Sequence, residues 1–219
     1  MNLTIAEENY IKAIFHLQQA EGNVSTNQLA ASMHTKPASV TDMLKKLTNK
    51  SLLEYEPYQG VRLGKEGKKQ ALSIVRKHRL WEFFLVDKLQ FGWDEVHEVA
   101  EELEHISSKK LVDKLDAFLG FPKFDPHGDP IPDMNGNMVS IRQFNLIDVK
   151  QKILVEVCSV GSQSAELLEL LRHKNIVIGT QLQIVKKFDF DHSVEINIEN
   201  KPTITISQQL AQALFVKLV

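Results

Sequence analysis

The sequence predicts a mainly α-helical chain with β structure at its C-terminal end: a helix-turn-helix with a β-hairpin wing, a helical middle part and a small β-barrel. Three observations carry this. Apolar residues recur at helical spacing from residue 4 to about residue 120, interrupted only near residues 52–63. The run Phe121 to Pro132 holds four prolines, which no regular helix tolerates. From Ile153 onward, short segments alternate apolar and polar residues, the period of half-buried strands.

Residues 4–21 carry Ile5, Ile11, Ile14, Phe15 and Leu17 on a helical repeat, with Thr4 as N-cap, Glu7 and Glu8 in the first turn and Gly22 as the stop. Ser25 or Thr26 caps a short second helix through Met33. After the turn His34-Thr35-Lys36, Pro37 suits the first position of a third helix that runs to about Asn49. Leu52 to Glu56, a turn at Tyr58-Gln59-Gly60 and Val61 to Leu63 form the wing. In such a unit the N-terminal part of the second motif helix enters the major groove. The candidate DNA-contacting residues are therefore Thr35, Lys36, Ala38, Ser39, Thr41 and Asp42, with Lys45 and Lys46 one turn on and Arg62 in the wing. Val40, Met43, Leu44 and Leu47 pack the opposite face.

A long helix follows from Lys65 to near Gly92, with Arg76-Lys77-His78-Arg79 midway. Asp94 is read as the N-cap of a fifth helix through His105, and Ser107 or Ser108 as the cap of a sixth that ends before Gly120. Trp81, Phe83 and Phe84 make this part apolar enough to meet a second subunit, and two helix-turn-helix units on a two-fold axis read two half-sites. The proline-rich stretch reads as an ordered loop leading to a linker, with His127 a lone histidine in it. Strands are expected at Ile153 to Val160, Gln181 to Phe188, Val194 to Glu199, Thr203 to Ser207 and Phe215 to Val219, with a helix at Ala165 to Arg172 and a capping Ser207.

Composition narrows the function classes. The formal net charge is -2, so any nucleic-acid surface must be local; residues 1–73 carry 9 Lys and Arg against 7 Asp and Glu. Cys158, the single cysteine, lies among valines and is expected to be buried in a strand. No signal-peptide pattern or span of about 18 apolar residues occurs, so a cytoplasmic, membrane-free protein is expected. No repeat, phosphate-binding glycine loop, Gly-x-Ser-x-Gly or Cys-x-x-Cys is present.

The stretch His97 to His105 stands out. On a helix, His97, Glu101, Glu104 and His105 share one stripe of nitrogen and oxygen donors, the set that Mn, Fe and Zn accept. Upstream, His78 and Glu82 form a second pair at i, i+4. A solvated acidic face is the bland alternative. Glu102-x-x-His105 also matches the spacing of dimetal carboxylate oxidoreductases, but only one such motif occurs. A winged-helix regulator sensing a non-metal ligand is the other rival.

Three segments taken together, Arg76-Lys77-His78-Arg79-Leu80-x-Glu82, Val96-His97-x3-Glu101-x2-Glu104-His105 and Pro126-His127-Gly128-x-Pro130-Ile131-Pro132, resemble the diphtheria-toxin-repressor family of metal-dependent transcriptional regulators. The resemblance spans essentially the whole chain. It implies a winged helix-turn-helix domain at 1–73, a helical metal-binding and dimerisation domain at 74–140, and an SH3-like, FeoA-like domain at 141–219. It also implies a non-enzymatic homodimeric repressor of metal homeostasis genes on a palindromic double-stranded operator. Its regulatory site would use Asn9, Glu101, Glu104 and His105, and its ancillary site His78, Glu82 and His97, completed by Gln163 and Glu166. Iron-sensing members place Met in helix 1 and Cys at the position of Glu101, whereas manganese-sensing members use carboxylates at both. Glu101 follows the manganese pattern; Asn9 offers only a neutral amide oxygen, and Lys12 stands at a position acidic in some manganese sensors. Mn(II) is expected ahead of Fe(II), with Zn(II) possible in vitro.

Overall fold

The computed structural model describes residues 3–56, 60–198 and 202–219, without the side chains of residues 19–21. The expected wing-turn residues Tyr58 and Gln59, and Glu199 at the end of an expected strand, lie outside the described residues. The chain divides into two units, residues 1–78, 102–113 and 132–137 in the first and residues 79–101, 114–131 and 138–219 in the second.

In the first unit, helix boundaries fall where the sequence supplies caps. Helix α1 (Ile5–Glu21) opens on a reciprocal box: the Thr4 hydroxyl accepts from the Glu7 N–H at 3.3 Å and the Glu7 carboxylate from the Thr4 N–H at 2.8 Å. Gly22, at φ 80°, ends it. Helix α2 (Thr26–Ser32) repeats the box with Ser25 and Gln28. Helix α3 (Pro37–Asn49) starts on Pro37 and buries Val40, Leu44 and Leu47, which leaves its other face to solvent. Strands β1 (Leu53–Glu56) and β2 (Gly60–Leu63) pair antiparallel as the wing. Val61 exchanges both backbone hydrogen bonds with Val24, so the wing is fastened to the α1–α2 connection. Gly60 is required there, since a Cβ would stand 2.3 Å from the Val24 carbonyl oxygen. The core gathers Ile11, Ile14, Phe15, Leu29, Val40, Leu47 and Leu52 with Ala71, Ile74 and Val75.

Helix α4 (Lys65–Leu89) contributes residues to both units, as does α5 (Val96–Leu103); α6 (Lys109–Phe118) follows. Two expectations change here. Helix α5 starts at Val96 rather than after an Asp94 cap, because the Asp94 carboxylate pairs with Arg172 at 3.2 Å. It also ends at Leu103, so Glu104 and His105 occupy a turn and not the helical stripe. The buried partners of Glu104 and the cap that Ser108 gives α6 pull the chain out of the helix.

In the second unit, strands β3 (Phe144–Asn145), β4 (Leu154–Val160), β5 (Gln181–Lys187), β6 (Val194–Ile198), β7 (Ile204–Ile206) and β8 (Leu214–Leu218) form one antiparallel sheet in the order β3-β8-β4-β5-β6-β7. Its core joins Val155, Val157, Leu182, Ile184, Ile196 and Val216 to Leu168 and Leu171 of α7 (Ala165–His173) and Leu210 of α8 (Gln208–Ala213). Strand β3 and the 3-10 turn after it, Leu146–Asp148, are too short to show an alternation in sequence. Cys158 is buried in β4, as its neighbours predict. Among the described residues no helix is long and apolar enough to cross a membrane.

Candidate metal centres

Each unit buries a cluster of ionisable side chains. In the first, the fully buried Glu104 receives the Lys12 ammonium on both oxygens, at 2.7 and 2.8 Å. Its Oε2 also lies 2.7 Å from His78 Nδ1, and its Oε1 3.8 Å from His105 Nε2. His105 Nδ1 is 2.6 Å from the Glu8 carboxylate, whose other oxygen is 3.9 Å from the Lys77 ammonium. Burial works to raise the Glu104 pKa, but the His78 hydrogen bond and the Lys12 charge outweigh it and hold the group ionised. Burial lowers the Lys77 pKa against the pull of Glu8 and Glu104. Asn9 Oδ1 is buried without a hydrogen-bond partner. Two carboxylates here face two ammonium groups, and the central one is gripped through both oxygens. The cluster is neutralised from within and does not fit a divalent ion.

The second cluster is different in kind. Glu82 of α4 is fully buried between two imidazoles: its Oε1 is 3.4 Å from His97 Nδ1 and its Oε2 3.7 Å from His127 Nδ1. His127, also fully buried, has its Nε2 2.7 Å from the Trp93 carbonyl oxygen. A carbonyl only accepts, so Nε2 carries a hydrogen, and Nδ1 faces the Glu82 carboxylate, as a lone pair in the neutral ring or as a donor in the protonated one. That Nδ1 has no hydrogen-bond partner. Two electron-rich atoms that close in a buried site call for a cation or a proton between them. Asp125 brings a third donor, since one ligand atom each of Glu82, Asp125 and His127 falls within 4.8 Å of the others. This cluster fits a metal ion.

The His127 loop is built for that presentation. Asp125 Oδ1 accepts from the backbone of His127 at 2.8 Å and of Asp129 at 2.9 Å, while Arg79 reaches Asp125 Oδ2 at 3.4 Å, Asp129 at 3.3 Å and the Pro130 carbonyl at 2.6 Å. Burial, with the Glu82 and Asp129 carboxylates, pushes the Asp125 pKa up to about 7 against Arg79 and His127. For His127 burial works downward, and the Glu82 and Asp125 carboxylates with the Trp93 carbonyl outweigh it, so its pKa rises.

Of the residues expected to ligate, Asn9, His78, Glu104 and His105 lie in the first unit, and Glu82, His97, Glu101, Gln163 and Glu166 in the second. Glu101 Oε1 is 3.5 Å from His97 Nε2. Gln163 donates its amide to Asp129 at 3.0 Å, and Glu166 is exposed in the first turn of α7. The sequence pattern places Glu8 only in the first turn of α1 and Arg79 only within a motif, marks no ligand at Asp125 and reads His127 as a lone loop histidine. Glu8 and Lys12 at i, i+4 look like a surface ion pair; Asp125 with Gly128 three residues on is a turn signature that could have marked the His127 loop as built.

On α3 the side chains of Lys36, Ala38, Ser39, Thr41, Asp42, Lys45 and Lys46 are exposed, and Thr35 is half-buried. The Thr41 hydroxyl donates to the Pro37 carbonyl at 2.9 Å. Lys46 reaches Glu7 at 3.2 Å, and Arg62 is held by Glu54 at 2.8 Å and Glu56 at 3.4 Å.

A winged helix-turn-helix with a built imidazole-carboxylate centre on the helices that follow defines a ligand-responsive DNA-binding regulator. Family models described as the iron dependent repressor N-terminal DNA binding domain, the iron dependent repressor metal binding and dimerisation domain, and the FeoA domain match residues 2–61, 65–133 and 144–218. The transcriptional regulator MntR of Oceanobacillus iheyensis is 30% identical over 122 residues, 56% of this chain and 82% of that protein. The diphtheria toxin repressor of Corynebacterium jeikeium is 26% identical over 188 residues, 85% of this chain and 78% of that one. A solved manganese-dependent transcriptional repressor in complex with manganese superposes with a TM-score of 0.87 at 30% identity, covering 97% of this chain and 100% of that one. The chain belongs to this family of metal-dependent transcriptional repressors.

Proposed function

We propose that the chain works as a homodimeric repressor of Mn(II) or Fe(II) homeostasis genes, sensing the ion at the Glu82 centre and binding a palindromic duplex operator through α3 and the wing. The observation that carries the metal assignment is the Trp93 carbonyl on His127 Nε2, which turns the opposite ring nitrogen onto Glu82. Glu82 and His127 would hold the ion, with His97 and Asp125 beside them. When bound, the ion supplies the positive charge that lets these donors converge. Glu82 on α4, His97 on α5 and His127 on the loop then constrain one another, and the helices carrying them become more rigid. Oxygen and imidazole donors without thiolate suit Mn(II) or Fe(II), and Zn(II) would compete in vitro on affinity alone. The manganese and iron dependence named for the relatives supports the same assignment.

The functional division is placed at 1–73, 74–140 and 141–219, supported by the family models that match 2–61, 65–133 and 144–218. Leu89, Phe91, Phe118 and Phe121 are exposed around α4 and α6, the kind of apolar side chains a second copy would cover. Exposed Lys36 and Lys45, with Lys46 and Arg62 once they exchange their carboxylate partners for phosphates, would supply affinity that falls with salt.

The test is operator binding at fixed salt by fluorescence anisotropy, with Mn(II), Fe(II), Zn(II) or chelator. Metal should tighten binding about 5–150-fold over chelator, the usual range of coupling between two sites. His127→Ala and Glu82→Gln should each remove that response while leaving the chelator baseline in place. A wild-type protein indifferent to every metal would sink the proposal.

A further inference from the structure

We infer that Lys12 is a built-in cation at Glu104, so the link between α1 and the turn after α5 needs no metal and the first-unit cluster takes none. The inference rests on the metal-sensing reading above, because it assigns that sensing to the Glu82 centre alone.

The geometry is that of a cation in a carboxylate chelate. One ammonium lies 2.7 and 2.8 Å from the two oxygens of a carboxylate that is 0% exposed, on a lysine side chain that is itself 12% exposed. His78 Nδ1 fills a further position on the same carboxylate at 2.7 Å. His105 and Lys77 both turn to the neighbouring Glu8. Of the donors a metal would use, Glu8, His78, Glu104 and His105 each already face a partner within the cluster, and the remaining one, Asn9 Oδ1, is a neutral amide oxygen left without a hydrogen bond. An incoming divalent ion would have to displace an ammonium tethered to α1 and then sit near two positive side chains in a partly dry site, where like charges repel strongly. Its own hydration would also be lost without a net gain in opposite charge. Lys12 thus does permanently what an ion would do reversibly: it holds Ile5–Glu21 to the Glu104 turn at every metal concentration.

The experiment counts ions. The full chain is titrated with Mn(II) alone and free Mn(II) is read by its electron paramagnetic resonance signal, with circular dichroism as the check on folding. About one ion per chain is expected for wild type, lost in Glu82→Gln and retained in Glu104→Gln. Lys12→Glu, which replaces the ammonium by a further carboxylate, should bind about two. Should Lys12→Glu fail to fold, the Glu104→Gln count on its own still decides the point. Two ions in wild type, one of them lost in Glu104→Gln, would overturn the inference. A folded Lys12→Glu that gains no ion would overturn it as well. A wild type that binds none while Lys12→Glu gains one would support the role of Lys12 and refute the Glu82 centre, so the two readings fail separately.

Discussion

Burial alone would raise the pKa of Glu7, whose carboxylate is fully enclosed; hydrogen bonds from Lys50, the Thr4 backbone and Lys46 outweigh it and hold the group down to about 2. A folded-state pKa below the unfolded value contributes stability that is complete above about pH 5 and disappears as pH falls through about 2. The shift from 4.5 is worth at most about 3 kcal/mol, and nearer 2 once water around the half-exposed Lys46 is allowed for. Glu7→Gln should therefore lower the urea midpoint at pH 7, and the gap to wild type should close between pH 5 and pH 2. A gap that persists at pH 2 would mean that Glu7 matters through packing and its cap on Thr4, not through charge.

The His127 loop shows how an element can be fixed by one residue. Gly128 has φ +87°, and a Cβ there would stand 1.9 Å from the Cys158 carbonyl oxygen of β4. Gly128→Ala combines left-handed strain with a backbone clash and should cost about 2–4 kcal/mol. Gly120, at φ +76° with nothing within 4 Å of a Cβ, is the control, and Gly120→Ala should cost only about 1 kcal/mol. Thermal unfolding measures both, and Mn(II) affinity should fall for Gly128→Ala alone; equal costs would show that β4 yields to the added methyl. Helices α1, α2 and α3 were legible in the sequence because Thr4, Ser25 and Pro37 act locally, through groups within three or four residues. The end of α5 was not, because what stops it is Lys12 and His78, distant in sequence from Glu104. The surroundings of His127 were not legible for the same reason: it sits against Trp93 and Glu82, and no spacing rule joins 82, 93 and 127.

For the molecule as a whole, sensing and DNA reading are separable by salt and by metal. Lys45→Ala removes an exposed ammonium on α3 and should weaken binding to all duplexes alike, reducing the slope of log affinity against log salt by about 1. Metal should instead stabilise the fold by mass action, about 2.7 kcal/mol at a hundredfold excess over Kd, with no change in that slope. Equal salt slopes in Lys45→Ala and wild type would remove Lys45 from the phosphate contacts.

Glu7 and Glu8 are consecutive residues, about 100° apart around the axis of α1. Glu7 is bonded to Lys46 at the C-terminal end of the recognition helix and to Lys50 just after it, and Glu8 to His105 in the turn that begins at Glu104. Lys12, one turn further on, holds the same turn. Helix α1 is therefore an axle with fixed spokes on two sides. Two consecutive residues of one helix thus join the end of α3 to the turn that follows α5.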